Sequence, residues 1–323
     1  MFTRESGFMK VFKACSGFVF LFAILILAGC ATNPHLKSGE GYVEVEGGKV
    51  WYGIMGEGEN TPLLVMHGGP GSTSRSFYQY SSIAEDRPII MFDQLGSGRS
   101  DYHEDTSLLK VENFVAQVEA LRKELGLKDF YVLGHSWGSA LGLEYYLARP
   151  DGIKGLIFSS PYFSTAIWDA DADTLISTLP DSIQSAIKKE EETRDFLSAE
   201  YLHANEVFAK NFGLRKTRLS SELDTVPSES NSFIYNYMWG PTEFTATGTL
   251  KNYDRLTELK EVKVPTLFMT GEFDEARPST VRYFQSLAPN SKFVMIKGAG
   301  HSTVHDNKDQ TINAVREFLN SVK

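Results

Sequence analysis

A short apolar run, Phe130-Tyr131-Val132-Leu133, leads directly into Gly134-His135-Ser136-Trp137-Gly138, and a helical pattern follows over residues 139–146. No other feature of the chain constrains its fold so tightly. A strand that becomes a helix within one G-x-S-x-G pentapeptide requires a sharp turn and close approach of neighbouring backbone. Glycine on both sides permits each. The serine is then held at the mouth of a sheet with its hydroxyl presented, the geometry of a nucleophile elbow.

The patterns on either side extend this reading. Residues 42–45 and 50–54 alternate and read as an antiparallel edge hairpin turning at Gly47-Gly48, whereas 62–66 and 87–92 are continuous apolar runs typical of strands buried on both faces. Residues 111–125 have helical periodicity through Phe114, Val118, Leu121 and Leu125, stopping at Gly126. A strand (153–159) follows the helix at 139–148. The alternation resumes with a strand (264–270), a helix (280–288), a strand (292–296) and a last helix (308–322). This order predicts an α/β class fold with a doubly wound, mainly parallel sheet. Between residues 163 and 253 the strand runs disappear. Helical patterns at 182–189, 193–212 and 232–239, broken by Pro180, Gly213, Pro227 and Gly240-Pro241, predict a helical cap inserted between two core segments, 41–162 and 254–323.

The N-terminus is read separately. Arg4, Lys10 and Lys13 precede an apolar run over 18–28 that ends in Leu27-Ala28-Gly29-Cys30. The run is shorter than the ~20 residues a spanning helix needs and has the form of a secretory signal. Its ending is similar to the bacterial lipobox. That likeness implies removal of residues 1–29, lipidation of Cys30, a tether over 30–40, and, from Ala31, the outer membrane. An ordinary cleaved signal or an uncleaved anchor is the alternative.

Cys15 would leave with the signal, and with Cys30 lipidated no thiol remains for a disulfide or a thiolate metal site. No metal or other cofactor is expected. The formal charge of −9 includes a net +2 in residues 1–29, so the mature chain stands near −11. An acidic chain without basic stripes is a poor partner for nucleic acid or for anionic lipid, which leaves the lipid anchor as its membrane contact. The oligomeric state leaves no sequence signal.

A serine hydroxyl becomes nucleophilic only beside a base, and the base must be held in one tautomer by an acid. In chain order after Ser136, Thr270-Gly271-Glu272-Phe273-Asp274 and Lys297-Gly298-Ala299-Gly300-His301 each follow the end of a predicted strand. These are the loops where parallel sheets place ligands. Asp274 is assigned as the acid and His301 as the base, with Glu272 and His305 as nearest rivals. The oxyanion needs two preorganised N–H donors. Trp137 would supply one and Gly69, in His67-Gly68-Gly69-Pro70-Gly71, the other, with the Trp137 ring lining the leaving-group side. His67 is expected to be structural, as are Asp93 and Arg99.

The chain also resembles the proline iminopeptidase family of serine peptidases, which have the α/β-hydrolase fold. The likeness rests on His67-Gly-Gly-Pro-Gly71, on Phe92-Asp-Gln-Leu-Gly-Ser-Gly-Arg-Ser100, on the serine pentapeptide and on Gly271-Glu-Phe-Asp-Glu275. Within the family it is most similar to the tricorn-interacting aminopeptidase branch, through Trp239-Gly-Pro-Thr-Glu-Phe-Thr245, Gly248-Thr-Leu-Lys-Asn-Tyr-Asp254 and the Asp274-Glu275 pair. Leu95 departs from the Arg that many members carry after Asp-Gln. The resemblance implies a serine aminopeptidase acting on short peptides with a free N-terminus. It also implies that Glu243 and Glu275 together bind the substrate's α-ammonium group. Tyr235, Tyr237 and Trp239 are candidates for the first substrate pocket or for ordinary packing. Two other readings use the same residues: an amidase or esterase for small amino-acid amides or esters, and a catalytically silent peptide-binding surface lipoprotein.

Overall fold

The computed structural model describes residues 33–216 and 230–322. The predicted signal and the lipidation at Cys30 lie outside the described residues.

Eight strands form one sheet: β1 (Gly39–Val45), β2 (Gly48–Met55), β3 (Leu63–Met66), β4 (Ile89–Phe92), β5 (Phe130–His135), β6 (Ile153–Ser159), β7 (Thr266–Gly271) and β8 (Ser291–Ile296). Their spatial order is β1-β2-β4-β3-β5-β6-β7-β8. The β1–β2 and β2–β4 pairings are antiparallel, and every later pairing is parallel.

Successive side chains of the central strands enter opposite layers, as the two-residue period of a strand demands. Leu64, Met66, Ile90, Phe92, Val132, Leu156, Phe158 and Phe268 pack on one face. There they meet α1 (Val111–Glu124) and α2 (Trp137–Ala148). Leu63, Val65, Ile89, Met91, Tyr131, Leu133, Ile157 and Leu267 pack on the other.

Between β6 and β7 the described residues contain no named strand. They form α3 (Thr165–Ile176), α4 (Asp181–Thr193), α5 (Ala199–Phe208) and α6 (Ser232–Met238), with a satellite core of Ile183, Ile187, Tyr201, Phe208, Phe212 and Phe244. The helical run expected over 193–212 is broken. Arg194, at φ 59°, ends α4, and the Ser198 hydroxyl caps α5 by accepting the Tyr201 amide. Helix α3 was not anticipated. Asp169, Asp171 and Asp173 interrupt its apolar pattern, and its buried face is carried by Trp168, Asp171 and Ala172 at helical spacing. After β7 come α7 (Pro278–Leu287), then β8, α8 (Thr303–Asp306) and α9 (Lys308–Ser321). On the second sheet face, Ile312, Val315, Phe318 and Leu319 of α9 complete the layer.

Candidate active site

The loops at the carboxyl ends of β3, β5, β6, β7 and β8 assemble the site. Ser136 stands between β5 and α2 at φ 56° and ψ −124°, a conformation non-glycine residues seldom adopt. It is held there by two main-chain bonds, its amide to Ser159 O (3.0 Å) and its carbonyl from the Ser139 amide (2.8 Å). The flanking glycines are steric necessities. A Cβ on Gly134 would collide with the Gly138 carbonyl, and one on Gly138 with the Met66 carbonyl of the neighbouring strand.

Asp274, 1 % exposed, faces His301 with Oδ1 at 2.8 Å from Nδ1. Oδ1 also accepts the Ala276 amide (2.9 Å), while Oδ2 accepts Ser160 Oγ (2.6 Å), Thr270 Oγ1 (2.8 Å) and the Gly271 amide (3.0 Å). Burial alone would raise the Asp274 pKa. The charge and hydrogen bond of His301, with the Ser160 and Gly271 donors, outweigh it and hold the carboxyl below its ordinary value. His301 is anchored through its amide to Phe212 O (2.7 Å), a bond from the histidine loop to the helical insertion. Ser136 and His301 line the same open cleft of about 450 Å³.

Gly69, at φ 107°, lines that cleft and a smaller pocket beyond Ser136. The preceding Gly68 is so close that a Cβ there would stand 3.0 Å from Ser136 Cβ. The Trp137 indole does not line the leaving-group side. It is buried, meets Phe114 edge-on at 5.8 Å, and donates Nε1–H to Gln94 Oε1 (3.0 Å). His67 is spent on structure: Nε2 accepts the Gln94 amide (2.9 Å) and Nδ1 points to Gly68 O (2.9 Å). Asp93 accepts from Ser74 and from Arg99 Nε (2.8 Å), bracing the loop beneath.

The insertion supplies the other wall. Trp168, Trp239, Glu243 and Leu250, with Tyr162, Pro70 and Gly69, line a small pocket next to Ser136. Tyr162 packs edge-on against both indoles at 5.9 and 5.3 Å. Trp168 Nε1 donates to the Glu243 carbonyl (2.8 Å), tying that residue's backbone in place. Tyr235 reaches the wide cleft, but Tyr237 stacks on Phe233 at the surface, away from both pockets.

Glu243 lines both pockets, and Glu275 lies near enough for its carboxyl to feel the Glu243 charge. Glu275 is 4 % exposed; Oε1 lies 3.5 Å from His301 Nδ1, and Oε2 is buried without a hydrogen-bond partner. Burial first, then the charges of Glu243 and Asp274, push its carboxyl up to about 8 against the opposing pull of His301. Glu243 is raised too, chiefly by burial, with His301 and the Tyr235 hydroxyl opposing. The rivals stand elsewhere. Glu272 is exposed and accepts the Gly298 amide (2.9 Å), and His305 lines the outer cleft. Two contributors escaped the sequence reading: Ser160, at φ 49° and fully buried, and Trp168. For Ser160 the available signal was a small polar residue ending the strand beside the serine strand. Among the described residues no group of three His, Cys, Asp or Glu side chains is arranged to hold a metal ion.

Comparison with known proteins agrees with this geometry. Residues 61–308 match the model of the alpha/beta hydrolase fold family. A proline iminopeptidase of Heyndrickxia coagulans is 41 % identical over 285 residues, covering 88 % of this chain and 99 % of that protein. One from Lactobacillus helveticus is 34 % identical, covering 87 % and 97 %. Among solved structures, a proline iminopeptidase of Mycobacterium smegmatis superposes with a TM-score of 0.78 at 26 % identity, covering 87 % of this chain and 98 % of the other. The protein VinJ does so with 0.83 at 27 %, covering 89 % and 100 %.

Proposed function

The chain belongs to the proline iminopeptidase family of α/β hydrolases, and from that premise we propose a serine aminopeptidase that releases N-terminal residues from short peptides. Ser136 Oγ forms a bond to the first carbonyl carbon as its proton passes to His301 Nε2. The Gly69 and Trp137 amides receive the oxyanion. The C–N bond then breaks, the leaving amine takes the proton from His301, and the released peptide departs through the wide cleft. Water, deprotonated by the same imidazole, hydrolyses the acyl-enzyme and frees the amino acid. Asp274 holds Nδ1–H and stabilises the imidazolium throughout.

One observation carries the exopeptidase reading: Glu243 lines the pocket beside Ser136, Glu275 Oε1 lies 3.5 Å from His301 Nδ1, and Glu275 Oε2 is buried with nothing to accept from. An α-ammonium supplies the missing donor. A hydrogen bond to a charged group contributes about 1.5–3 kcal/mol, so losing two costs roughly a hundredfold or more. The aromatic lining of the pocket suits an apolar first residue, and the names of the relatives point to proline. The test compares aminoacyl anilides of Pro, Ala, Leu and Phe, each with a free and an acetylated amine. Activity confined to free amines is expected. Equal cleavage of blocked substrates would favour a general amidase.

The cellular setting is likewise a proposal, resting on the signal and lipobox pattern: an envelope enzyme anchored through lipid on Cys30. Metabolic labelling with a fatty acid, lost in Cys30→Ala, is the expected result; a labelled variant would remove the anchor. Among the described residues no helix is long and apolar enough to cross a membrane.

A further inference from the structure

Helix α5 runs into a single π-helical turn, Ala209–Gly213, and the chain leaves it through Leu214, Arg215 and Lys216. This end of the insertion is bonded to the histidine loop by main chain at two points. The His301 amide donates to Phe212 O (2.7 Å) and the Ser302 amide to Gly213 O (2.9 Å). A third junction passes through a side chain. Asp306 is 1 % exposed and accepts from both segments. Oδ1 takes the Lys216 amide (2.7 Å) and the Arg215 amide (3.1 Å), the latter also 3.2 Å from Oδ2. Oδ2 takes the Gly300 amide (2.9 Å). A carboxylate only accepts, and three N–H groups on two oxygens suit it. Its own helix does not account for it: Asp306 is the last residue of α8, and peptide dipoles do not stabilise an anion at a helix C-terminus.

The two segments approach more closely than a side chain on the loop would permit. A Cβ on Gly300 would stand 2.6 Å from Phe212 O and 2.7 Å from Gly213 O. The same segment reaches the acid loop. The Arg215 guanidinium lies 3.9 Å from the centre of the Phe273 ring, and its Nη1 donates back to Asn211 O (2.6 Å). Phe273, which precedes Asp274, donates its amide to Ala299 O (2.8 Å) and so ties the acid loop to the histidine loop.

We infer that Asp306 is a positioning residue for the catalytic base: it clasps residues 212–216 of the insertion to the histidine loop, so that the insertion, and not the sheet alone, sets where His301 stands. Asp274 orients the ring through Nδ1, but a ring held at one nitrogen still moves with its own main chain. The clasp holds that main chain at three successive amides, Gly300, His301 and Ser302. A displacement of about 1 Å at a reacting group lowers a rate by about a hundredfold. The inference rests on His301 acting as base in the reading above. It adds a dependence of the chemical step on a segment that lines neither pocket.

The test compares variants of the full-length protein on p-nitrophenyl propionate and on alanyl p-nitroanilide. Asp306→Asn keeps the shape but turns an NH₂ group toward one of the two segments. It should lower kcat about 10- to 100-fold on both substrates, with KM within about twofold. Arg215→Pro removes an amide donor from the insertion, 91 residues from Asp306 in the chain, and should lower kcat in the same way. Arg215→Ala, which retains that donor, should lose less. The double variant Asp306→Asn/Arg215→Pro should be no slower than the worse single one, because residues acting through one junction are not additive. Leu121→Ala, in α1 on the other sheet face, should lower the melting temperature and leave kcat within about twofold, which separates position from stability. A folded Asp306→Asn with wild-type kcat, or single losses that multiply in the double variant, overturns the inference. If Asp306→Asn does not fold, Arg215→Pro decides alone, and a kcat equal to that of Arg215→Ala overturns it. The aminopeptidase reading fails separately. A wild-type enzyme that cleaves the ester but no free-amine anilide removes that reading, while the ester still measures the clasp.

Discussion

The sheet edge and the helical insertion meet at Ser136 but treat their polar atoms in opposite ways. At the sheet edge Asp274 has five donors within hydrogen-bonding distance, two at Oδ1 and three at Oδ2. Beside the insertion, Glu275 Oε2 is buried without a hydrogen-bond partner, and the two glutamates are raised rather than lowered. Unmatched buried groups are costly and rare in folded proteins. The contrast separates a finished catalytic half, preorganised before substrate arrives, from a recognition half that a cationic ligand completes.

Breaking the finished half should cost most. Ser136→Ala or His301→Ala should lower kcat by about 10⁴–10⁶-fold with thermal unfolding little changed, and Asp274→Asn by about 10⁴-fold. Single-turnover kinetics on an alanyl ester would check this. A loss of only tenfold would place the chemistry elsewhere. On the recognition half, Glu243→Gln should lower kcat/KM for free-amine anilides by roughly ten- to a hundredfold while sparing p-nitrophenyl propionate. Comparable losses on both would mean that Glu243 supports the fold of the pocket instead.

Two smaller effects sharpen the contrast. Ser160→Ala removes a donor from buried Asp274 while retaining a Cβ at φ 49°. It should destabilise by about 1–3 kcal/mol. Ser160→Gly relieves the backbone strain and should lose less, so urea melts of the two apportion strain and hydrogen bond.

The last effect is on stability against pH. His301, raised to about 9, contributes stability that is complete below its unfolded value of about 6.5 and lost as pH climbs through 9. Glu275, raised to about 8, stays protonated in the fold after the unfolded chain has ionised, which acts in the same direction. Unfolding free energy should fall by about 1–3 kcal/mol between roughly pH 6 and 9. Glu275→Gln should flatten that slope; a stability that rises over this window would contradict both shifts.

Much of the catalytic half could be read from the chain, because what specifies it is local. Glycine at 134 and 138 answers a backbone collision, the buried runs at β3, β4 and β5 state their two-sided burial, and Asp274 and His301 follow strand ends directly. Family motifs, rather than periodicity, singled out Glu243 and Glu275. The missed pieces have a common cause. Helix α3 hides behind three aspartates, and Ser160 looks like any strand-end serine until β6 sits between β5 and β7 and its hydroxyl meets Asp274.

The sequence by itself determined the order of strands and helices, the elbow and the chain order Ser136, Asp274, His301, since backbone sterics and side-chain period act between near neighbours. Only the tertiary structure decided that Trp168 and Trp239 close one pocket. It alone set Glu275 3.5 Å from the histidine with an oxygen unpartnered and gave adjacent carboxylates, Asp274 and Glu275, opposite pKa shifts. Burial and Coulomb interactions are sums over groups distant in the chain, and they acquire values only once those groups are packed together.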